Sequence, residues 1–241
     1  MSDRCAAVWG ACGGIGRALV NALASSGDYR LVHAGCRNPV APMSNIVKPF
    51  TFDLLDESSI AAAAGGLGSV GPVDLTIVAT GMLHDAAGNW PEKSFAALTA
   101  DAMVASFRIN TVGPAIIAKH MIQALPLHRR SVFVALSARV GSIGDNRLGG
   151  WHSYRASKAA LNMIIANLAI ELKRTRPNAI AVGLHPGTVD SSLSLPFQKG
   201  VANGKLFSPA TSAQYLLSVI DGLTITATGA VWAWDGQLIT P

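Results

Sequence analysis

Tyr154 and Lys158 are the residues in this 241-residue chain best spaced for chemistry. They stand four apart in Tyr154-Arg155-Ala156-Ser157-Lys158, so a helix would put them on one face. A free phenol, with a pKa near 10, is a poor base at neutral pH. A neighbouring ammonium favours the phenolate and is expected to lower that value into the working range of a proton donor or acceptor.

A second segment suits phosphate chemistry. Gly10-Ala11-Cys12-Gly13-Gly14-Ile15-Gly16 follows an apolar run at 6–9 and opens a helical pattern at 15–26. Glycines at such a strand-to-helix turn let backbone N–H groups and the helix N-terminus face a pyrophosphate. The next short run, 31–34, leads into Gly35-Cys36-Arg37. The acid that would bind a ribose 2′-hydroxyl is absent there, and Arg37 offers a forked, charge-assisted partner for a 2′-phosphate. NADP(H) is therefore expected over NAD(H).

The spacing Gly-x-x-x-Gly-x-Gly together with Tyr-x-x-x-Lys resembles the short-chain dehydrogenase/reductase family. The chain departs from that family in having Trp9, not Thr, before the first glycine. The resemblance implies that Tyr154 passes a proton to or from a carbonyl oxygen, that Lys158 holds the nicotinamide ribose and tunes Tyr154, and that Asn110 supports a proton relay through water. It implies adenosine-side contacts at Asp53, Leu54, Ala79, Thr80 and Gly81, and a nicotinamide contact at Pro186, Gly187 and Val189. Gly10, Cys12, Gly13, Gly14, Ile15 and Gly16 would hold the pyrophosphate side. Counting back from Gly141, the family's serine falls on Ala138. Ser137 is the preferred hydroxyl donor, Ser142 the alternative, and Tyr154 acting without a serine the third case. The segment 137–151 is similar to that of the C-factor and sniffer-type carbonyl reductase subgroup.

These residues need a frame. Strand-length apolar runs at 6–9, 31–34, 46–52, 73–79, 131–136, 180–184 and 230–234 alternate with helical patterns at 15–26, 58–64, 100–125, 153–174 and 208–223. Continuous apolar strands alternating with helices imply an α/β fold: one Rossmann domain over 1–241, with a doubly wound parallel sheet of about seven strands. The stretch 191–207 is expected to be a mobile substrate loop, and its Leu193, Leu195, Pro196, Phe197, Leu206 and Phe207 point to a hydrophobic ketone or aldehyde.

Composition excludes other classes. The chain is 50% hydrophobic and 14% charged, which argues against disorder. Its formal net charge of +5 comes from scattered cations with no aromatic-interleaved stripe, so no nucleic-acid partner is expected. The longest apolar helical run, 159–170, is too short to span a membrane and carries two Asn. The N-terminal apolar stretch is too short for a leader. Three cysteines without C-x-x-C spacing fit a reduced cytoplasm better than a disulfide framework. His33, His84, His120, His128, His152 and His185 lack metal-ligand spacing and are expected to be surface or packing residues, with no metal bound. Trp151, Trp232 and Trp234 read as core or interface aromatics. The resemblance further implies a homodimer or homotetramer through the helices carrying Asn110 and Tyr154. A cofactor-binding signalling protein of C-factor type, with little turnover, is the rival to an NADPH-dependent carbonyl reductase.

Overall fold

A computed structural model describes residues 3–39, 44–84 and 90–241. Apolar β-prone runs form the strands β1 (Cys5–Trp9), β2 (Leu31–Cys36), β3 (Val47–Thr51), β4 (Leu75–Val78), β5 (Ser131–Leu136) and β6 (Ala179–His185). Two short strands, β7 (Thr188–Val189) and β8 (Leu206–Phe207), pair with each other, and β9 (Val231–Ala233) completes the main sheet. That sheet has seven strands in the order β3-β2-β1-β4-β5-β6-β9, every neighbouring pair parallel. The order reverses between β1 and β4, the place where a doubly wound sheet opens a crevice beyond the strands' carboxyl ends.

Helices cover both faces. Alternate side chains of each strand feed opposite cores. Val8, Ile77, Val134 and Val182 pack with α1 (Gly14–Ser25) and α6 (Pro209–Gly222) on one side. Ala7, Trp9, Phe133 and Ala181 pack on the other with α2 (Glu57–Val70), α4 (Gly113–Met121) and α5 (His152–Thr175). Pro49, which cannot donate to a ladder, sits on the edge strand β3, where no partner waits for it.

The long helical pattern at 100–125 is divided. The helix α3 (Ala100–Phe107) runs into a π-type turn at Arg108–Val112 before α4 begins with Pro114 in its first turn. The Gly113-Pro114 pair therefore starts a helix, where proline's missing N–H costs nothing.

Trp9, in the place of the family's threonine, is fully buried and meets Phe50 and Phe52 edge-on at centroid distances of 4.9 and 4.8 Å. Gly35 makes this possible. It lies opposite Phe50 in the β2–β3 register, and a Cβ there would come within 2.2 Å of the Phe50 ring.

Asp74 ties the start of β4 to β1. Its buried carboxylate accepts from the Cys5 N–H at 2.9 Å and takes Arg129 in a two-pronged pair at 2.5 and 2.9 Å. Asp74→Ala leaves the buried Cys5 N–H without a partner and is expected to cost about 1–3 kcal/mol in a urea titration.

Candidate active site

The π-type turn Arg108–Val112 swings Asn110 under the sheet's carboxyl edge, fully buried. Its side-chain amide copies a strand partner. Nδ2 donates to the Met82 carbonyl and Oδ1 accepts from the Met82 N–H, both at 2.8 Å. This fixes the chain leaving β4, so that the space above Gly81 lies 3.6 Å from Asn110 Oδ1 and 3.8 Å from Lys158 Nζ. Asn110 thus pins a backbone segment beside the lysine.

The helix α5 carries the lysine and the tyrosine. It starts abruptly: Gly149, Gly150 and Trp151 all have positive φ, and Trp151, at 51°, is the one residue other than glycine that does so among the described residues. Glu92 holds this turn. Its backbone carbonyl accepts from the Trp151 N–H, and its carboxylate accepts from the Ser153 N–H at 3.1 Å and from the Ser153 hydroxyl. Burial pushes the Glu92 carboxyl up, but the Ser153 hydrogen bonds outweigh it and hold the group below its ordinary value. Along the helix, buried hydroxyls knit α3 and the π-type turn to α5. Ser106 Oγ donates to Ser157 Oγ at 3.1 Å, and Thr111 Oγ1 donates to the Ser157 carbonyl at 2.7 Å.

Lys158 is 2% exposed and donates to the Leu136 carbonyl at the end of β5, 2.8 Å away. The 3-10 turn Arg139–Gly141 crosses α5 at this point, and a Cβ on Gly141 would sit 2.8 Å from the Lys158 Cβ. Burial pushes the ammonium down to about 8. Lys158 Nζ lies 5.8 Å from the centre of the Tyr154 ring. The expected lowering of the phenol does not appear: burial pushes Tyr154 up to about 12. Withdrawal from water is the cause, and the Lys158 ammonium, which donates to the Leu136 carbonyl, does not offset it.

Both candidate serines are buried and hydrogen-bonded. Ser137 is buried, and its Oγ donates to Asn162 Oδ1 at 2.6 Å. Asn162 is eight residues beyond Tyr154 on α5, so this bond ties the end of β5 to the helix that carries the phenol. Ser142 accepts from the Asp145 N–H at 2.9 Å and reaches the Pro241 carbonyl at 3.5 Å, so it closes a turn at the C-terminus. Ala138 occupies the position between β5 and the 3-10 turn.

Gly10, Cys12 and Gly13, then Arg37, Asp53, Leu54, Ala79, Thr80 and Gly81, line one cleft of about 490 Å³ at the β1/β4 switch point. The glycine turn of this cleft fits the pyrophosphate of a dinucleotide. Gly10 has a φ of 94°, and a Cβ on Gly16 would lie 2.1 Å from the Gly10 carbonyl oxygen, so the turn tolerates only glycine at both places. Thr80 Oγ1 is buried with no hydrogen-bond partner among the described residues. Arg37 is exposed at the cleft, while Asp53 turns one carboxylate oxygen back to the Leu55 N–H. Gly14, Ile15 and Gly16 begin or enter α1, and a Cβ on Gly14 would lie 3.4 Å from Ser191, which brings the 191–207 segment over the turn. Pro186 and Gly187 lead from β6 into β7, which holds Val189; Gly187 has a φ of 76° with the Phe207 ring against it.

Two features were missed by sequence reasoning. Glu92 is an isolated acid with no spacing signal. Trp151 is neither plain core nor interface: its ring meets Tyr154 at 6.3 Å and Phe197 at 5.1 Å. Phe197 in turn meets Trp90 at 6.0 Å and His84 at 5.8 Å, and His84 Nε2 hydrogen-bonds the Ser192 carbonyl at 3.1 Å. Trp151 covers one side of the phenol, and the other rings back Trp151. The reading of the cysteines also needs correction. Cys12 and Cys36 form a disulfide, because the glycine turn and the end of β2 bring them together; Cys5 alone is free.

A doubly wound α/β domain with a Tyr–Lys helix beside a glycine-rich cleft is the architecture of a nucleotide-dependent oxidoreductase. The chain belongs to the short chain dehydrogenase family, whose model matches residues 4–200. It is 32% identical over 189 residues to a 1-hydroxy-2-glutathionyl-2-methyl-3-butene dehydrogenase of Rhodococcus sp. (strain AD45), covering 78% of this chain and 77% of the relative. It is 33% identical over 135 residues to the C-signal protein of Myxococcus xanthus, covering 56% of this chain and 75% of the relative. The fold is that of an NADPH-bound carbonyl reductase from chicken fatty liver, with a TM-score of 0.85, 23% identity and full coverage of both chains. The carbonyl reductase Sniffer of D. melanogaster superposes with the same TM-score at 20% identity, again over both whole chains. No helix among the described residues is long and apolar enough to cross a membrane, and no group of three or more potential metal ligands occurs among them.

The buried ammonium gives a stability prediction. Lys158's folded pKa lies below its unfolded value, so burial of its charge opposes folding fully below about pH 8, and that burden fades as pH rises toward the unfolded value near 10.5. Lys158→Met should therefore be more stable than the wild type at pH 7 in urea titrations, by less than about 3 kcal/mol because the Leu136 carbonyl loses its donor. The difference should shrink by pH 9.5.

Proposed function

We propose that the protein is an NADPH-dependent carbonyl reductase acting on hydrophobic ketones or aldehydes. The observation that carries this reading is the convergence of Tyr154, Lys158 and the Asn110-pinned Gly81 at one end of the glycine-rich cleft. When bound, the cofactor supplies a hydride to the carbonyl carbon. The residues of the cleft would hold its pyrophosphate at residues 10–16, its 2′-phosphate at Arg37 and its adenosine side against Asp53, Leu54 and residues 79–81. Pro186, Gly187 and Val189 would face the nicotinamide side, which NADPH- and NADP-bound neighbours of the same fold make reasonable.

Tyr154 stays protonated far beyond neutral pH, so the proton that a carbonyl oxygen takes up is present on the phenol, although burial holds it more tightly than water would. Lys158 places positive charge beneath the ring and steadies the negative charge left on the phenol oxygen. Asn110 holds the floor in place; any water relay would run from its turn. With the hydroxyl of Ser137 directed at Asn162, the tyrosine carries the oxyanion contact in the arrangement described, and Ser137 serves by anchoring α5. The aromatic roof excludes water and favours apolar substrates, and the 191–207 loop must lift for substrate to reach the phenol. Exposed Val104, Val112, Met163 and Ile170, on the helices α3 and α5 and the π-type turn, suit assembly into a dimer or tetramer.

A second reading stands on Ala138: without a serine there, the chain would bind the cofactor and turn over little, as a regulatory protein. Steady-state NADPH oxidation with a panel of hydrophobic ketones separates the two. The reductase reading expects turnover that falls by about 10²–10⁴-fold in Tyr154→Phe, with NADPH binding retained. Tight NADPH binding with no turnover on any carbonyl would favour the regulatory reading.

Two further outcomes are expected. Arg37→Ala should raise the KM for NADPH about tenfold or more while leaving that for NADH nearly constant, the loss of one charge-assisted pair. Reductive kcat/KM should fall above about pH 8 as Lys158 loses its proton. A pH profile flat to 10 would remove the ammonium from the mechanism.

A further inference from the structure

Cys12 lies on the exposed side of the glycine turn and Cys36 is the buried last residue of β2. Their Cα atoms are 6.0 Å apart in the disulfide, inside the span of about 4.4–6.8 Å that such a bond bridges. Both residues line the 490 Å³ cleft. Both also line a second cavity of about 410 Å³ between α1 and the β2–β3 edge. The bridge is the partition between the two spaces. The turn does not need it for its shape: the N–H groups of Gly10 and Ala11 both donate to the Gly35 carbonyl at 2.8 Å, which already fixes turn to strand. What the bond changes is the space between them. It draws the Cys12 side chain across the floor of the cleft to residue 36, immediately before Arg37.

We propose that Cys12 and Cys36 are an oxidative modification site within the cofactor cleft: the dithiol form admits a 2′-phosphorylated dinucleotide, and the disulfide form narrows the approach to Arg37 and binds it weakly. The proposal rests on the cleft being the NADPH site. The oxidant is a low-molecular-weight disulfide. The Cys12 thiolate attacks one of its sulfurs, and the other leaves as a thiolate that takes up the proton Cys12 released. The Cys36 thiolate then displaces the second small thiol from the mixed disulfide, closing the bond between residues 12 and 36. Two protein thiols are oxidised and two small thiols are formed. Cys12 is the attacking group because it is exposed and stands just ahead of the α1 N-terminus, where a thiolate is favoured, whereas Cys36 is 8% exposed.

The test treats the full chain with dithiothreitol or with glutathione disulfide, removes the reagent, and counts thiols after denaturation. Three are expected in the reduced protein, and one, Cys5, in the oxidised protein. NADPH affinity, read by fluorescence titration without turnover, should be about tenfold weaker in the oxidised form. The NADH shift should be smaller, and Cys12→Ser, which lacks the attacking thiolate, should show no dependence on the treatment. Three thiols after glutathione disulfide, or equal NADPH affinity in the two forms, overturns the proposal. A reduced protein that binds no NADPH overturns the cofactor assignment and the coupling with it, while the thiol count still reports whether the bridge forms.

Discussion

Lys158 carries its amine into a space that water scarcely reaches, where it donates a hydrogen bond to the backbone carbonyl of Leu136. Moving a cation out of water is costly unless it is paired. The rest of the site can be understood as what that burial requires and what it allows. It requires a close crossing of the residue 139–141 turn over α5, which Gly141 alone permits. It brings the segment at Gly81 to ordinary contact distance from the amine. In return it places a positive charge under an aromatic ring whose hydroxyl has itself been withdrawn from solvent. The two burials act in opposite senses, one loosening a proton on the amine and the other tightening a proton on the phenol.

That placement is held from three sides. Glu92 clasps the left-handed turn at residues 149–151 and sets the start of α5. Ser106, Asn110 and Thr111 bond to Ser157 along its middle, so the π-type turn and α5 move as one body. Ser137 bonds Asn162 further along. Buried polar networks of this kind give stability only when every member is satisfied, and here the hydroxyls serve position over chemistry. The side open to change is the roof, where Trp151 meets Tyr154 and Phe197 backs Trp151 through ring contacts, and a His84–Ser192 hydrogen bond joins the loops.

Much of this was legible in the sequence because the signals were local. The alternation of apolar runs and helical patterns gave the order of elements, and the run at 131–136 coincides with β5. Glycine spacing gave the turn, and an i,i+4 pair gave the helix face. The strands β7 and β8 were not legible, since two-residue pairings have no period to read. The helix α2 extends to Val70 beyond the Ala-rich core at 58–64, through glycines that propensity counts against. In the site, the sign of the phenol's shift was misjudged because spacing shows a neighbour's charge but not the water lost by both groups. The disulfide escaped because its partners are 24 residues apart and meet only through the β1–β2 register. Trp9 was read as a lost hydroxyl; its accommodation by Gly35 and Phe50 depends on strand pairing that no local pattern encodes.

The central claim is that Lys158 is a buried cation at the foot of the Tyr154 ring, and its own titration tests this most directly. Following the lysine side-chain nitrogen resonances by NMR against pH, with Lys158→Met to assign the signal, should show one amine losing its proton near pH 8, well apart from the other lysines. An amine at residue 158 that titrates with the rest, near 10.5, would mean that the group stands in water and that the arrangement described around it is wrong.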